Sequence, residues 1–451
     1  MCGLSAHFSL SSSSTNYSAI RAKIEQSLSN ISHRGPDESN ILSLAQDSVF
    51  FAHARLSVID ISNGSQPLAD PTGRYTIVFN GELYNYIELR ETYSLDCRSS
   101  SDTEVVLQAY IRFGPDCLQY FRGMYAFAIW DNLDNVGFIA RDRFGIKPLY
   151  LARSVDGVTI SSEVKGLLPF LQTRQVCTAG LADYINFQFT LPSRTLFSGV
   201  EEFLPAHYAF IRNGKLGPLH KYWNLEYQID YIHTEKWFLD QLRDILSESV
   251  SLHCRSDVPI ASYVSGGIDS SLISALSADL RHTDSPQAFV GRYDSHEGFD
   301  ESAFALDACN QQGIECNVVT ITPDDFVESF ENLIWHLDQP VAGPGSVGQY
   351  VVSKQASAQV KVILGGQGGD EIFGGYTRYL IGYFEQCIQG AIDGTLNDGN
   401  FVVTYESIIP NLATLRQYKP MLKEFWGDGL FDSLDKRYWR LINRANAYSG
   451  I

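Results

Sequence analysis

The sequence predicts a mixed α/β protein whose second half is a parallel sheet with helices on both faces. Three observations lead there. From residue 234 onward, short apolar runs alternate with helix-period segments, the pattern of repeated strand–helix units. Two of those runs end in glycine-rich loops that each carry an aspartate. Finally, 451 residues, 44% hydrophobic and 12% aromatic, are enough for two or three domains that each bury a core.

The chain opens Met1-Cys2-Gly3-Leu4. Removal of Met1 by an aminopeptidase, favoured by the small Cys2, would leave one residue bearing a thiol and a free α-amine. That amine, with an ordinary pKa of ~8, can act as base for its own thiol. Taken alone, a cysteine at position 2 also reads as a chance buried thiol. Ser32-His33-Arg34-Gly35-Pro36-Asp37 is a rigid turn holding charge, and 52–60 alternates like a strand that presents Arg55. Residues 75–79 form a further strand, ending at Asn80-Gly81-Glu82-Leu83. The stretch 99–103 caps a helix with Val105, Val106, Ala109 and Tyr110 on its apolar face. Segments 123–131 and 136–142 read as antiparallel strands joined by an Asp-Asn turn. Final strands follow in 191–210, with a break near 214–224. Without further context Arg55 and Asp102 read as surface ion-pair residues, and His33 and His53 as structural.

In the second half, Phe238, Leu242, Ile245, Leu246 and Val250 mark an amphipathic helix. A strand ending at Val264 meets the turn Ser265-Gly266-Gly267, after which Leu272, Ile273, Leu276 and Leu280 recur at helical spacing. The glycines let backbone approach a ligand, and Ser265, Ser270, Ser271 and the first-turn amides face one volume suited to phosphate. No Gly-Lys-Ser/Thr follows; Asp269 stands in its place, which implies magnesium between carboxylate and phosphate. An ordinary glycine turn accounts for Ser-Gly-Gly equally well. A second strand, 360–364, followed by Gly365-Gly366-Gln367-Gly368-Gly369-Asp370, shifts the balance, because two such strand ends could hold one magnesium triphosphate. Between them lie a strand at 288–292, a helix at 301–312, a strand at 316–321, a helix at 324–336 and a helix ending at 354–358.

These motifs carry a resemblance. Ser265-Gly266-Gly267-Ile268-Asp269-Ser270 and Gly368-Gly369-Asp370-Glu371-Ile372-Phe373-Gly374-Gly375 are similar to the pyrophosphate loop and second acidic loop of asparagine synthetases and β-lactam synthetases. Cys2, 32–37, 52–60, 80–85, 99–103, 141–150 and 161–165 together resemble the glutaminase domain of class II amidotransferases. The resemblance implies an N-terminal-nucleophile αββα sandwich over 1–213, a linker over 214–233, and a doubly wound ATP pyrophosphatase domain over 234–451 that is C-terminally incomplete. It implies that Cys2 attacks glutamine, that the Asn80 side-chain amide and Gly81 N–H form the oxyanion hole, and that Arg55 takes the glutamine α-carboxylate. Glu82 and Asp102 would take the ammonium group, with Val58 in the same pocket. ATP would be bound by Val264, Ser265, Gly266, Gly267, Asp269, Ser270, Val290, Gly366 and Gln367, and Mg2+ by Asp269 and Asp370. From the residues alone, Val264 and Val290 read as apolar core. The implied reaction is asparagine synthesis: ammonia released at Cys2 travels internally to a site where MgATP adenylates the β-carboxylate of aspartate, giving asparagine, AMP and pyrophosphate.

Two departures bear on the acceptor. Gln367 stands where typical asparagine synthetases have an acidic residue, and loop 341–347 lacks the basic residue some of them use near aspartate. Rival readings are therefore an amidotransferase of the same build acting on another carboxylate, a glutaminase with a degenerate synthetase half, and a noncatalytic binding protein. A net charge of −18 without a basic cluster argues against nucleic acid as a partner. No run approaches the ~20 apolar residues of a membrane helix, and no targeting segment opens the chain, so no membrane partner and a cytoplasmic location are expected. The eight cysteines show no CxxC or zinc spacing and, apart from Cys2, read as reduced and mostly buried. A homodimer acting on small molecules is the expected assembly.

Overall fold

The computed structural model describes residues 2–10, 16–230, 232–281, 286–293, 300–340, 345–393 and 419–443. The first strands are β1 (Gly3–Ser9), β2 (Glu38–Leu44), β3 (Val49–Arg55), β4 (Leu68–Ala69), β5 (Tyr75–Leu83), β6 (Gly123–Asp131), β7 (Val136–Arg141), β8 (Tyr150–Ser154), β9 (Gly157–Ser161), β10 (Val200–Glu202), β11 (His207–Arg212), β12 (Lys215–Leu216) and β13 (His220–Lys221). They make two antiparallel sheets, ordered β10-β8-β9-β1-β3-β2 and β12-β11-β7-β6-β5-β4, with β13 also on β11.

Alternation along these strands decides the layering, because successive side chains point to opposite faces. Leu4, Ala6 and Phe8 of β1 meet Val78 of β5 and Ala126, Ala128 and Trp130 of β6 between the sheets. Phe50, Ala52 and Ala54 of β3 face outward, onto Ile20, Ile24 and Leu28 of helix α1 (Tyr17–Asn30). On the other side, Ile77, Phe79, Phe127 and Ile129 receive Val105, Val106 and Ala109 of helix α2 (Asp102–Phe113). This is the expected αββα sandwich, with strands apolar on both faces because both faces are covered. Two polar side chains of β1 find partners, Ser5 Oγ 2.8 Å from Ser27 Oγ and His7 Nδ1 2.8 Å from Thr159 Oγ1, while His7 Nε2 and Ser9 Oγ are buried without one.

Three local readings change. β5 runs on to Leu83, paired residue by residue with β6 as far as Gly123, so Asn80, Gly81 and Glu82 stand within the strand and not at its end. β3 stops at Arg55, and 56–60 leaves the sheet, reaching Asp60 in the left-handed region at φ 47°. The stretch after 213, read as a break, carries β12 and β13 paired onto β11.

The second sheet system is wholly parallel: β14 (Ile260–Tyr263), β15 (Gln287–Tyr293), β16 (Glu315–Ile321) and β17 (Val362–Leu364), ordered β16-β15-β14-β17. Helix α3 (Glu235–His253), capped by Thr234, leads into it. Helices α4 (Ile268–Arg281) and α5 (Ser302–Gln311) cover one face, where Ala278, Ala305 and Cys309 meet Val264, Ala288 and Val290. Helices α6 (Pro323–Leu337) and α7 (Gly345–Ala356) cover the other through Leu333, Val347, Val351 and Val352. The sheet is thus doubly wound, and strand order reverses between β14 and β17, which places a crevice at their carboxyl ends. Of the 341–347 loop, residues 341–344 lie outside the described residues. Among the described residues no helix is long and apolar enough to cross a membrane. The halves meet through Arg122–Glu248 at 2.7 Å, Lys165–Asp338 at 3.0 Å, and Arg255, whose Nη1 donates to the Tyr84 carbonyl at 2.7 Å.

Candidate active sites

Cys2 sits just before β1, held from two sides. Arg34 Nε donates to the Cys2 carbonyl at 2.9 Å while its Nη1 pairs with Glu163 at 2.7 Å. Leu56 N–H donates to Cys2 Sγ at 3.3 Å. Burial pushes the Cys2 thiol up; the Leu56 N–H opposes that shift, because it stabilises the thiolate. Neither histidine acts on the thiol: His53 Nε2 donates to the Phe79 carbonyl at 3.1 Å, and His33 lies 3.0 Å from Glu163.

One narrow cavity collects the predicted glutamine residues except Asn80. Cys2, Arg55, Val58, Gly81, Glu82 and Asp102 all line it. Arg55 is buried at the end of β3, and its guanidinium donates to the carbonyls of Asp60 at 2.7 Å and Ile61 at 3.1 Å. Asp102, the first residue of α2, accepts the Leu83 N–H at 2.9 Å. Burial raises the carboxyl pKa of both Glu82 and Asp102; the facing Asp102 charge raises Glu82 further, and nearby Lys147 opposes that. Two desolvated carboxyls of like charge resist joint ionisation, and a cation brought between them would relieve both.

Asn80 is fully buried, with Nδ2 3.5 Å from Ser162 Oγ, and its Oδ1 has no protein partner. Ser162 Oγ in turn accepts the Leu4 N–H at 3.0 Å, which ties the Asn80 amide to the strand that carries Cys2. Gly81 has to be glycine: a methyl there would lie 2.3 Å from the Met124 carbonyl oxygen. Sequence reasoning missed Ser162, Asp60 and Gln66. Gln66 bridges the pocket floor, accepting Phe79 N–H at 2.7 Å and donating to Thr103 at 3.2 Å. Asp60 and Ser162 lay inside quoted motifs without being singled out, Gln66 lay outside them, and the signal of all three is tertiary.

At the sheet crevice the two glycine loops pack on one another. Ser270 Oγ accepts the Ser265 N–H at 3.0 Å, Ser265 Oγ accepts the Gly267 N–H at 3.3 Å, and Gly266 turns at φ 92°. A methyl on Gly369 would lie 2.3 Å from Asp269 Oδ2, and one on Gly366 would lie 2.6 Å from Ser270 N. A methyl on Gly375 would lie 2.0 Å from Asp370 Oδ1. The glycines therefore leave room for two carboxylates at adjoining strand ends. Among the described residues no group of three or more His, Cys, Asp or Glu forms a metal cage. Two carboxylates completed by phosphate oxygens and water are nevertheless the habit of magnesium. Val264, Ser265 and Gln367 line a neighbouring cavity of about 310 Å3, with Phe289, Gly291 and Gln349. Val290 does not: its side chain lies in the apolar cluster under α5, so strand alternation leaves only its backbone toward that cavity.

Residues 1–223 match the family model described as "Glutamine amidotransferase domain", and 241–448 match "Asparagine synthase". Asparagine synthetase [glutamine-hydrolyzing] 1 of Bacillus subtilis (strain 168) is 37% identical over 363 residues, covering 79% of this chain and 56% of its own length. "Amidase chyE" of Penicillium rubens is 32% identical over 405 residues, covering 84% of this chain and 60% of its own. The chain thus spans a little over half the length of these relatives. The putative asparagine synthetase [glutamine-hydrolyzing] 2 of Methanocaldococcus jannaschii is 30% identical over 398 residues, covering 81% of this chain and 74% of its own length. With both halves matched in order and each candidate site built from the matching motifs, the chain belongs to the glutamine-hydrolysing asparagine synthetase family.

Proposed function

We infer that the chain is a glutamine-dependent ligase: the first half releases ammonia from glutamine, and the second uses ATP to activate a carboxylate that receives it. The placement of Cys2, Arg55, Glu82 and Asp102 on one cavity supports this most directly. Arg55, aimed by backbone carbonyls, suits the substrate α-carboxylate, and the Glu82–Asp102 pair suits its ammonium. Cys2 then faces the side-chain amide, with its thiolate steadied by Leu56 N–H, and the Asn80 amide and Gly81 N–H take the developing oxyanion. Attack breaks the C–N bond, ammonia leaves, and water hydrolyses the thioester to glutamate.

In the second half, the Ser265–Ser270 turn and α4 amides are arranged to take ATP phosphates. Asp269 and Asp370 would hold magnesium, which when bound offsets phosphate charge. Ser265 and Gln367 orient the nucleotide and acceptor in the neighbouring cavity. The acceptor we favour is the aspartate β-carboxylate, giving asparagine. Gln367 on that cavity favours a second reading, an acceptor other than free aspartate, because a neutral amide cannot supply the charge of an acidic residue there.

The test is glutamate and pyrophosphate release from the full chain over a panel of carboxylic acids. Cys2→Ala should abolish glutamate release and spare ammonia-dependent pyrophosphate release. Loss of both would remove the two-site reading, and pyrophosphate formed only with another acid would replace aspartate as acceptor.

A further inference from the structure

The ATP half touches the glutamine pocket at the amino ends of the two strands whose carboxyl ends carry the aspartate loops. Asp257 lies three residues before β14. Its Oδ2 accepts the Asp60 N–H at 2.7 Å, and its own N–H donates to the Val58 carbonyl at 3.0 Å. Lys361, next to β17, donates to Asp37 Oδ2 at 2.7 Å, and that same oxygen accepts the Ser57 N–H at 2.7 Å. β14 and β17 are neighbours, with Ile260 opposite Val362. Residues 57, 58 and 60, the segment that follows Arg55, are therefore tied to the amino ends of two adjacent strands of the other half, directly through Asp257 and by way of Asp37 through Lys361.

Asp60 is the junction. Its N–H goes to Asp257, its carbonyl accepts Arg55 Nη2 at 2.7 Å and Gly64 N–H at 2.9 Å, and its Oδ2 accepts Ser100 N–H at 2.8 Å, two residues before Asp102. Its φ of 47° is a conformation that a non-glycine residue holds only where its surroundings impose it. The group that aims Arg55 at a carboxylate and the group that seats the start of α2 are thus the same residue, and a carboxylate from the ATP half anchors its backbone. Asp257, though exposed, bonds the junction residue itself, whereas Lys361 reaches the segment only through Asp37 in a surface pair, so Asp257 carries more of the load.

We propose that Asp257 is a positioning residue for glutamine: from the ATP half it fixes the turn at Asp60, and through it Arg55 and Asp102, with Asp37–Lys361 as a second, weaker tie. The proposal rests on the glutamine-pocket reading above.

The experiment compares Asp257→Ala, Asp257→Asn and Lys361→Met in the full chain. In Asp257→Ala the KM for glutamine, from glutamate release, should rise about tenfold with kcat within about twofold, the signature of lost ground-state binding. Asp257→Asn keeps an accepting oxygen and should restore KM to within about threefold; Lys361→Met should raise KM by less than Asp257→Ala. Amide hydrogen exchange should quicken over 57–64 and 99–103 in Asp257→Ala and stay unchanged in β1. A fall in kcat with KM unchanged, an asparagine variant as poor as alanine, or unaltered exchange over 57–64 would each overturn the proposal. If the wild-type chain releases no glutamate, the glutaminase reading fails, and the exchange measurement still decides whether Asp257 holds the turn.

Discussion

Arg55 Nη2 donates to the Asp60 carbonyl at 2.7 Å, so the guanidinium is aimed before any substrate arrives. Binding a carboxylate then costs little side-chain entropy, since a planar fork is already oriented. Arg55→Lys keeps the charge and loses the fork. The KM for glutamine should rise by about 10- to 100-fold, which is ~1.4–2.7 kcal/mol, with ammonia-dependent pyrophosphate release unchanged. Gly64→Ala should act the same way, because its methyl would lie 2.4 Å from Arg55 Nη2. Unchanged glutamine kinetics in both variants would remove Arg55 from the site.

Glutamine binding should strengthen as pH rises through the neutral range. The raised carboxyls of Glu82 and Asp102 are partly protonated there in the free protein, and an ammonium ligand requires them ionised. The sign follows: protons leave on binding, so the Kd for glutamine falls with rising pH. Calorimetry on Cys2→Ala between pH 6 and 8 isolates this from the thiol, and a flat or inverted profile would contradict the ammonium assignment.

Asn80→Ala should lower kcat for glutamate release by about 10²- to 10³-fold with little change in KM, because an oxyanion donor acts in the transition state. A matching rise in KM would instead make Asn80 part of ground-state binding. Ser162→Ala, which removes the partner on Nδ2, should give a smaller fall in kcat.

Gly369→Ala should abolish pyrophosphate release and leave glutamate release intact, since its methyl would collide with the Asp269 carboxylate. Asp269→Asn should have the same split effect. Pyrophosphate release at the wild-type rate in Asp269→Asn would take that carboxylate out of the nucleotide site.

Burial holds His7 and His53 neutral, each with its pKa lowered to about 4. Below ~6.5 the unfolded chain takes those protons first, so each residue's contribution to stability is lost as pH falls from ~6.5 towards 4. Glu82 and Asp102 act in the opposite direction over this range. The difference between His53→Gln and wild type therefore isolates one histidine. Relative to wild type, the variant should gain ~1.4 kcal/mol per pH unit between pH 6 and 5, measured by denaturant unfolding. A difference independent of pH would mean that His53 titrates alike in both states.

Much of the fold was legible because its signals are local. Strand–loop–helix periodicity around Ser265–Ser270 marks the β14 crevice, and helix capping at Ser101 marks α2. Where local reading slipped, a neighbour had the deciding influence. β5 extends through Asn80, Gly81 and Glu82 because β6 pairs with it, and the stretch after 213 forms β12 and β13 because β11 offers an edge. The reading of Val290 from the residues alone, apolar core, agrees with its place in the cluster beneath α5.

By itself the sequence determined which chemistries the chain carries: a near-terminal thiol with Arg, Glu and Asp to receive an amino acid, and two glycine–aspartate loops at strand ends. Those are properties of residue type and short spacing. Only the tertiary structure decided what holds these groups in place, with Ser162 behind Asn80 at 82 residues' separation and Asp257 beneath Asp60 at 197. Hydrogen bonds between such distant segments depend on how two sheets stack and where two domains touch, and no local pattern of side chains encodes that.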